Sequence, residues 1–285
     1  MNKNRCLFLD TTVIVDYALK AQRRKAISAE KEKYDNIETS QYIKMEIRRG
    51  VLTYLVYLYN MIVDENSWDG VLQRVSKLSG TPQRHRLGLI LESMKPIWKG
   101  IKDDTPASLN EKYPEIPLDR ILVLESLKYL KYQIRNVWRM ADKLAVVTNK
   151  MKCFVDIHAP VETHNLFDNT ASKCTESKYE CKIKDFFDSK RSDFVEIQDA
   201  LNRLPESEQD DETKKRRGSL REINRLLYQK NRQFSNIEPN VKHCWRCGDA
   251  IIAVSAQDTN SDLLSSNKKH FVPICYALNN KLVTY

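Results

Sequence analysis

Residues 5–10 (RCLFLD) form a short, unbroken apolar stretch that ends on an acid, with two threonines and a further apolar segment directly behind it. A run this short has the look of a buried strand, and strands buried on both faces belong to parallel sheets covered by helices. Thr11 and Thr12 stand where helix caps are favoured, so a helix is expected over residues 13–19. A strand that feeds straight into a helix, with an acid at the junction, is the place where α/β sheets bind their ligands. The expected fold class is therefore α/β: a small, mostly parallel sheet flanked by helices.

Composition narrows this further. The 285 residues are enough for a full core, and 41% hydrophobic with 30% charged residues suits a globular chain rather than a disordered one. No apolar run approaches the roughly 20 residues needed to span a bilayer, and the start of the sequence lacks the pattern of a signal peptide. A cytoplasmic protein without membrane contact is expected, and seven cysteines, odd in number and scattered, are expected to be mostly reduced thiols. Only seven glycines argue against glycine-rich phosphate loops and for a helix-dominated chain. The formal charge of +9 favours a polyanionic partner, of which nucleic acid is the usual one.

Along the chain, residues 20–38 are charged and read as helix. Thr39 and Ser40 can cap the next helix, which carries Glu46 and an apolar face beyond it. Prolines and polar turns mark residues 61–117 as an inserted helical and loop region. Residues 118–150 have apolar positions at helical spacing and read as one long helix or two. A further irregular insertion is expected around 151–217, so the core is expected from 1–60 together with 118–285. The final stretch reads as a helix opening near Gly248, a strand over 263–266 and a helix from Phe271.

Singly, the acids at these junctions have plain explanations. Asp10 and Asp249 each stand at the front of a helix, where a carboxylate caps the backbone or meets the helix dipole, and a lone Glu46 on a helix is usually solvated. Jointly they suggest more. Hard divalent cations such as Mg²⁺ or Mn²⁺ prefer clustered oxygen ligands, and phosphodiester hydrolysis uses such a cation to activate water and neutralise developing charge. Acids at the ends of parallel strands and nearby helices can converge from distant positions.

The order of these segments resembles the PIN-domain nucleases. LFLDTTVIVDYAL (residues 7–19) is similar to that family's opening strand and helix, with Asp10 at the first ligand acid. SQYIKMEIRRG (40–50) resembles its second motif with Glu46 at the acid, and HCWRCGDAIIAVSA (243–256) its third with Asp249. LLSSNKKHF (263–271) looks like the closing motif, although Asn267 stands where many members carry a fourth acid. The middle of the chain carries no resemblance. The resemblance implies a helix-rich, three-layer PIN-like fold with a large α-helical insertion.

It also implies a Mg²⁺- or Mn²⁺-dependent nuclease in which Asp10, Glu46 and Asp249 hold the metal, with Asn267 offering a carbonyl oxygen. Asp262 and Asp16 are the auxiliary acids weighed for the missing charge, and Thr11 and Ser265 the supporting hydroxyls. Arg48, Arg49, Lys268 and Lys269 flank two of these motifs and are candidates for gripping phosphates without reading sequence. RNA is favoured over DNA by the resemblance alone. A toxin or phage-defence role, an antitoxin or other protein partner, and self-association are left open. The main rival is a catalytically impaired nucleic-acid-binding module on the same scaffold, with Asn267 as its cause. A second is a zinc site built from Cys244 and Cys247 with upstream Cys and His residues, of which Cys153, His158, His164, Cys174 and Cys181 are the candidates. His270 is not read as part of any Ser–His or Cys–His machinery.

Overall fold

The computed structural model describes residues 5–77, 111–147, 159–168, 183–204 and 247–285, with scattered positions between 91 and 108 and between 211 and 218. The chain forms two compact units. The first comprises Met1–Ile47, Met140–Ile157 and Cys174–Tyr285, and the second Arg48–Arg139 and His158–Lys173. Residues 48–60 and most of the long helix thus fall in the second unit, although both were expected within the core.

The first unit is built on a parallel sheet of five strands in the order β3-β2-β1-β6-β7. Strand β1 (Cys6–Leu9) lies at its centre, and Leu7, Phe8 and Leu9 are fully buried, as an apolar strand covered on both faces should be. Helices α1 (Thr11–Leu19) and α2 (Ala21–Lys31) follow, then β2 (Asn36–Thr39) and α3 (Gln41–Ile47). The helix expected over residues 20–38 therefore stops at Lys31. Asn36–Thr39 (NIET) is too short and polar to announce a strand, and it becomes one by pairing with β1 on one side and β3 (Val146–Val147) on the other.

The chain builds β1, β2 and β3 outward in one direction. Strands β6 (Asp262–Leu264) and β7 (Leu282–Val283) then add to the opposite side of β1. The strand order thus reverses between β1 and β6. In open parallel sheets, this switch point opens a crevice at the carboxyl ends of the strands.

Helix α9 (Gly248–Asp258) has a run of buried residues, Ala250–Ala256, and packs on β6, on α8 (Arg191–Arg203) and on α10 (Lys268–Ala277). Hydrophobic all round, it is an interior helix, and Asp249 in its first turn is only partly covered. Helix α10 starts at Lys268, three residues ahead of the expected Phe271.

The second unit holds a helical segment kinked at Gly50 (Arg48–Leu52), α4 (Thr53–Glu65), α5 (Trp68–Ser76), most of α6 (Leu118–Lys143), and a hairpin of β4 (Glu162–Thr163) and β5 (Leu166–Phe167). Residues 118–143 form one helix, with Ile121, Leu130, Ile134 and Val137 on its buried stripe. Asn60 ties α4 to the hairpin by donating to and accepting from the Phe167 backbone at 2.8 and 2.9 Å. Tyr59 packs edge-on against the Phe167 ring. Helix α7 (Ile183–Ser189) belongs to the first unit and precedes α8.

Candidate metal centre

Asp10 ends β1, and its backbone N–H still donates to Leu264, extending the ladder by one residue before the chain turns into α1. Its side chain is 2% exposed. Oδ1 accepts from the Thr11 N–H at 2.6 Å, and Oδ2 accepts from the Thr12 and Ser265 hydroxyls, both at 2.7 Å. Leu9 pairs with Leu264, which sets Ser265 beside Asp10 at the β1/β6 switch point. Ser265 Oγ in turn accepts from the Asn267 N–H at 3.0 Å.

Glu46 comes from α3, whose N-terminus is capped by Ser40 accepting from Ile43 at 3.3 Å. Thr11 Oγ1 donates to Glu46 Oε2 at 2.5 Å, and Tyr42, one turn earlier on the same helix, donates to the same carboxylate. Thr11 thus bridges two acids, its backbone serving Asp10 and its hydroxyl Glu46. Asp249 enters from α9. Gly248 permits the approach, since a Cβ there would stand 2.5 Å from Glu46 Oε1 and 3.0 Å from the Tyr42 hydroxyl.

The three carboxylates act on one another. Burial pushes Asp10 up to about 6, with the Asp249 charge adding to it against the hydroxyl and N–H bonds that lower it. Burial likewise pushes Glu46 up to about 8, and the charges of Asp249 and Asp10 add to the rise. Like charges gathered in a low dielectric are costly, and a cation bound among them relieves that cost. An all-oxygen donor set with mutual repulsion fits a hard divalent ion in its chemistry. Among the described residues, no three or more His, Cys, Asp or Glu are grouped so that they could hold a metal ion as they stand.

The other expected site residues divide. Asn267 lies at the rim, its amide nitrogen 2.9 Å from His270 Nδ1, and His270 Nδ1 is also 2.9 Å from Asp249 Oδ2. Asp262, expected as an auxiliary ligand, is elsewhere. It opens β6 opposite Leu7, three residues and roughly 10 Å before the carboxyl end of the sheet, and accepts from Tyr34 at 2.6 Å and Lys281 at 2.5 Å. Asp16 is buried on α1 but engaged by Lys20 at 2.7 Å and by the Tyr285 hydroxyl at 3.3 Å.

Arg48 was expected to grip phosphate, yet it is 2% exposed and donates to the Asp168 carbonyl at 3.3 Å inside the second unit. Arg49 is also partly buried there. Lys268 and Lys269 are exposed and line a groove of about 830 Å³ between α8 and α10, together with Arg203, Glu196, Asp199 and Tyr276. Of the zinc candidates, Cys153, His158, Cys174, Cys181 and Cys244 lie outside the described residues. His164 sits in the turn between β4 and β5, and Cys247 is fully buried.

Sequence reasoning missed Thr12, Tyr42, Gly248 and the placement of His270. The only signals were local: a second hydroxyl after the acid, a tyrosine one turn before Glu46, a glycine just before Asp249, and a histidine three residues after Asn267. No family model matches the chain, and neither a curated protein nor a solved structure matches it.

Proposed function

We propose that this chain is a divalent-metal-dependent nuclease on a PIN-like scaffold, hydrolysing phosphodiester bonds in RNA. The observation that carries the reading is that Asp10, Glu46 and Asp249, from three distant elements, lie near enough to one another for their charges to interact, with Asp10 at the switch point of a parallel sheet. Each was named by its motif, and burial and mutual charge now act on two of them together. Asp10, Glu46 and Asp249 would hold Mg²⁺ or Mn²⁺, which when bound supplies water activation and charge neutralisation. Thr11, Thr12 and Ser265 fix the carboxylates in orientation through their hydroxyl hydrogen bonds. The exposed Lys268 and Lys269, directly after Asn267, are the phosphate-gripping pair. Preference for RNA rests on the resemblance.

A second reading, a nucleic-acid-binding module without catalysis, is favoured by one observation: the Asn267 side chain is engaged with His270 at the corner where the resemblance expects an acid. Cleavage of single-stranded RNA and DNA in Mn²⁺, in Mg²⁺ and with chelator separates the two. The nuclease reading expects chelator-sensitive cleavage that falls at least about 100-fold in Asp10→Asn and in Asp249→Asn, beyond the loss typical of groups that merely support a ligand. Binding without cleavage under any divalent ion would establish the second reading instead.

A further inference from the structure

His270 lies in the first turn of α10, and its Nδ1 has two neighbours at the same distance, Asp249 Oδ2 and Asn267 Nδ2, each at 2.9 Å. A ring nitrogen carries either a proton or a lone pair, never both. Nδ1 therefore cannot accept from the Asn267 amide and donate to the Asp249 carboxylate together. With a lone pair on Nδ1, two acceptors would face each other across 2.9 Å with no proton between them. A neutral Asp249 would instead crowd two donors onto one lone pair and forfeit the charge-assisted bond that its carboxylate accepts. With the proton on Nδ1, the N–H donates to Asp249. A half-turn of the Asn267 amide, whose two ends have the same shape, brings its oxygen to the same N–H. A bond to a carboxylate is roughly twice as strong as one between neutral groups, so the amide is the group that turns.

We propose that His270 is a positioning residue for Asp249, held with its proton on Nδ1 by that carboxylate, and that Asn267 turns to accept from the same N–H rather than ligating a metal. The Nδ1–H pins one oxygen of Asp249 and so restricts the orientation of the whole carboxylate. Asn267 supplies a second acceptor for the same proton. The tautomer stands on the geometry alone, whereas its effect on metal binding rests on the nuclease reading.

Two measurements test this. In ¹⁵N-labelled, metal-free protein, long-range proton–nitrogen correlations of the imidazole are expected to show a pyrrole-type Nδ1 and a pyridine-type Nε2 for His270. The reverse pattern would overturn the proposal. Asn267→Leu, which removes only the second acceptor, is expected to leave Nδ1 pyrrole-type, whereas Asp249→Leu, which removes the carboxylate, is expected to release the ring toward the mixture of a free histidine. A ring already released in Asn267→Leu would overturn the role given to Asp249. The second measurement is titration with Mn²⁺ alone, followed by the paramagnetic resonance of the free ion. His270→Ala is expected to weaken Mn²⁺ binding about 10–100-fold. His270→Asn, whose amide N–H₂ stands in for Nδ1–H, should recover most of the affinity, and His270→Gln should not. Unchanged affinity in His270→Ala would remove the clamp. Absence of Mn²⁺ binding by the wild type would count against the metal reading itself, and the tautomer would then be decided by the nitrogen spectra.

Discussion

Glu46 is partly accessible at the surface, yet its carboxyl sits in surroundings poor enough in water to raise it to about 8. A carboxyl whose folded pKa lies above its unfolded value contributes stability that is fully present below the unfolded pKa and lost as pH rises through the folded one. For Glu46 that window runs from its ordinary 4.5 up to about 8, and for Asp10 from 3.8 up to about 6. Metal-free protein should therefore be less stable at pH 9 than at pH 5 on account of these two groups. Glu46→Gln removes the larger rise. In denaturant titrations without metal it is expected to match the wild type near pH 4.5 and to exceed it by roughly 2–4 kcal/mol at pH 9. A variant less stable than wild type at pH 9 would show that Glu46 is already compensated in the folded protein.

Among the elements, the opening of α9 carries the tightest steric demand. Gly248 faces Glu46, and an alanine methyl would meet Oε1 at 2.5 Å. The obstructing atom is the far end of a flexible side chain, so the backbone need not move. Alanine also gains up to about 1 kcal/mol of helix propensity over glycine. The two effects nearly cancel in stability, but the carboxylate is displaced. Gly248→Ala is accordingly expected to stay within about 1 kcal/mol of wild-type stability while losing Mn²⁺ affinity about 10-fold or more, in the range found when a ligand's support is disturbed. Intact Mn²⁺ binding in a normally folded Gly248→Ala would mean that Glu46 contributes little to the site. The expected strand and helix around Asp10 match β1 and α1 because one is continuously apolar and the other begins at hydroxyls. Strands β2, β3 and β7 were not visible, since two to four residues of mixed polarity become strands only when a neighbour offers its ladder.

At the scale of the whole molecule, the formal charge of +9 predicts an association with nucleic acid that weakens with salt. Of the four basic residues expected to grip phosphate, Lys268 and Lys269 are exposed, whereas Arg48 is buried. The double variant Lys268→Ala/Lys269→Ala is expected to flatten the log–log salt dependence of binding to a single-stranded RNA oligonucleotide by about 1–2 units of slope, equally for unrelated sequences. An unchanged slope would exclude the pair from phosphate contact. No described helix is long and apolar enough to cross a membrane, in line with the absence of any such run in the sequence.

The sequence by itself determined the parallel α/β class, the three junction acids and their order, because an apolar strand, a cap and a helix period are local patterns. Which side chains come near Asp10 was a matter for tertiary structure. Asp262 and Ser265 are three residues apart on one short segment, and only the register of β6 on β1 puts Ser265 against Asp10 and leaves Asp262 with Tyr34 and Lys281. The long reach from Glu46 to Gly248 and from Asp249 to His270 depends in the same way on packing between elements far apart in the chain. Burial, which raises the Asp10 and Glu46 carboxyls, exists only once those elements have closed around them.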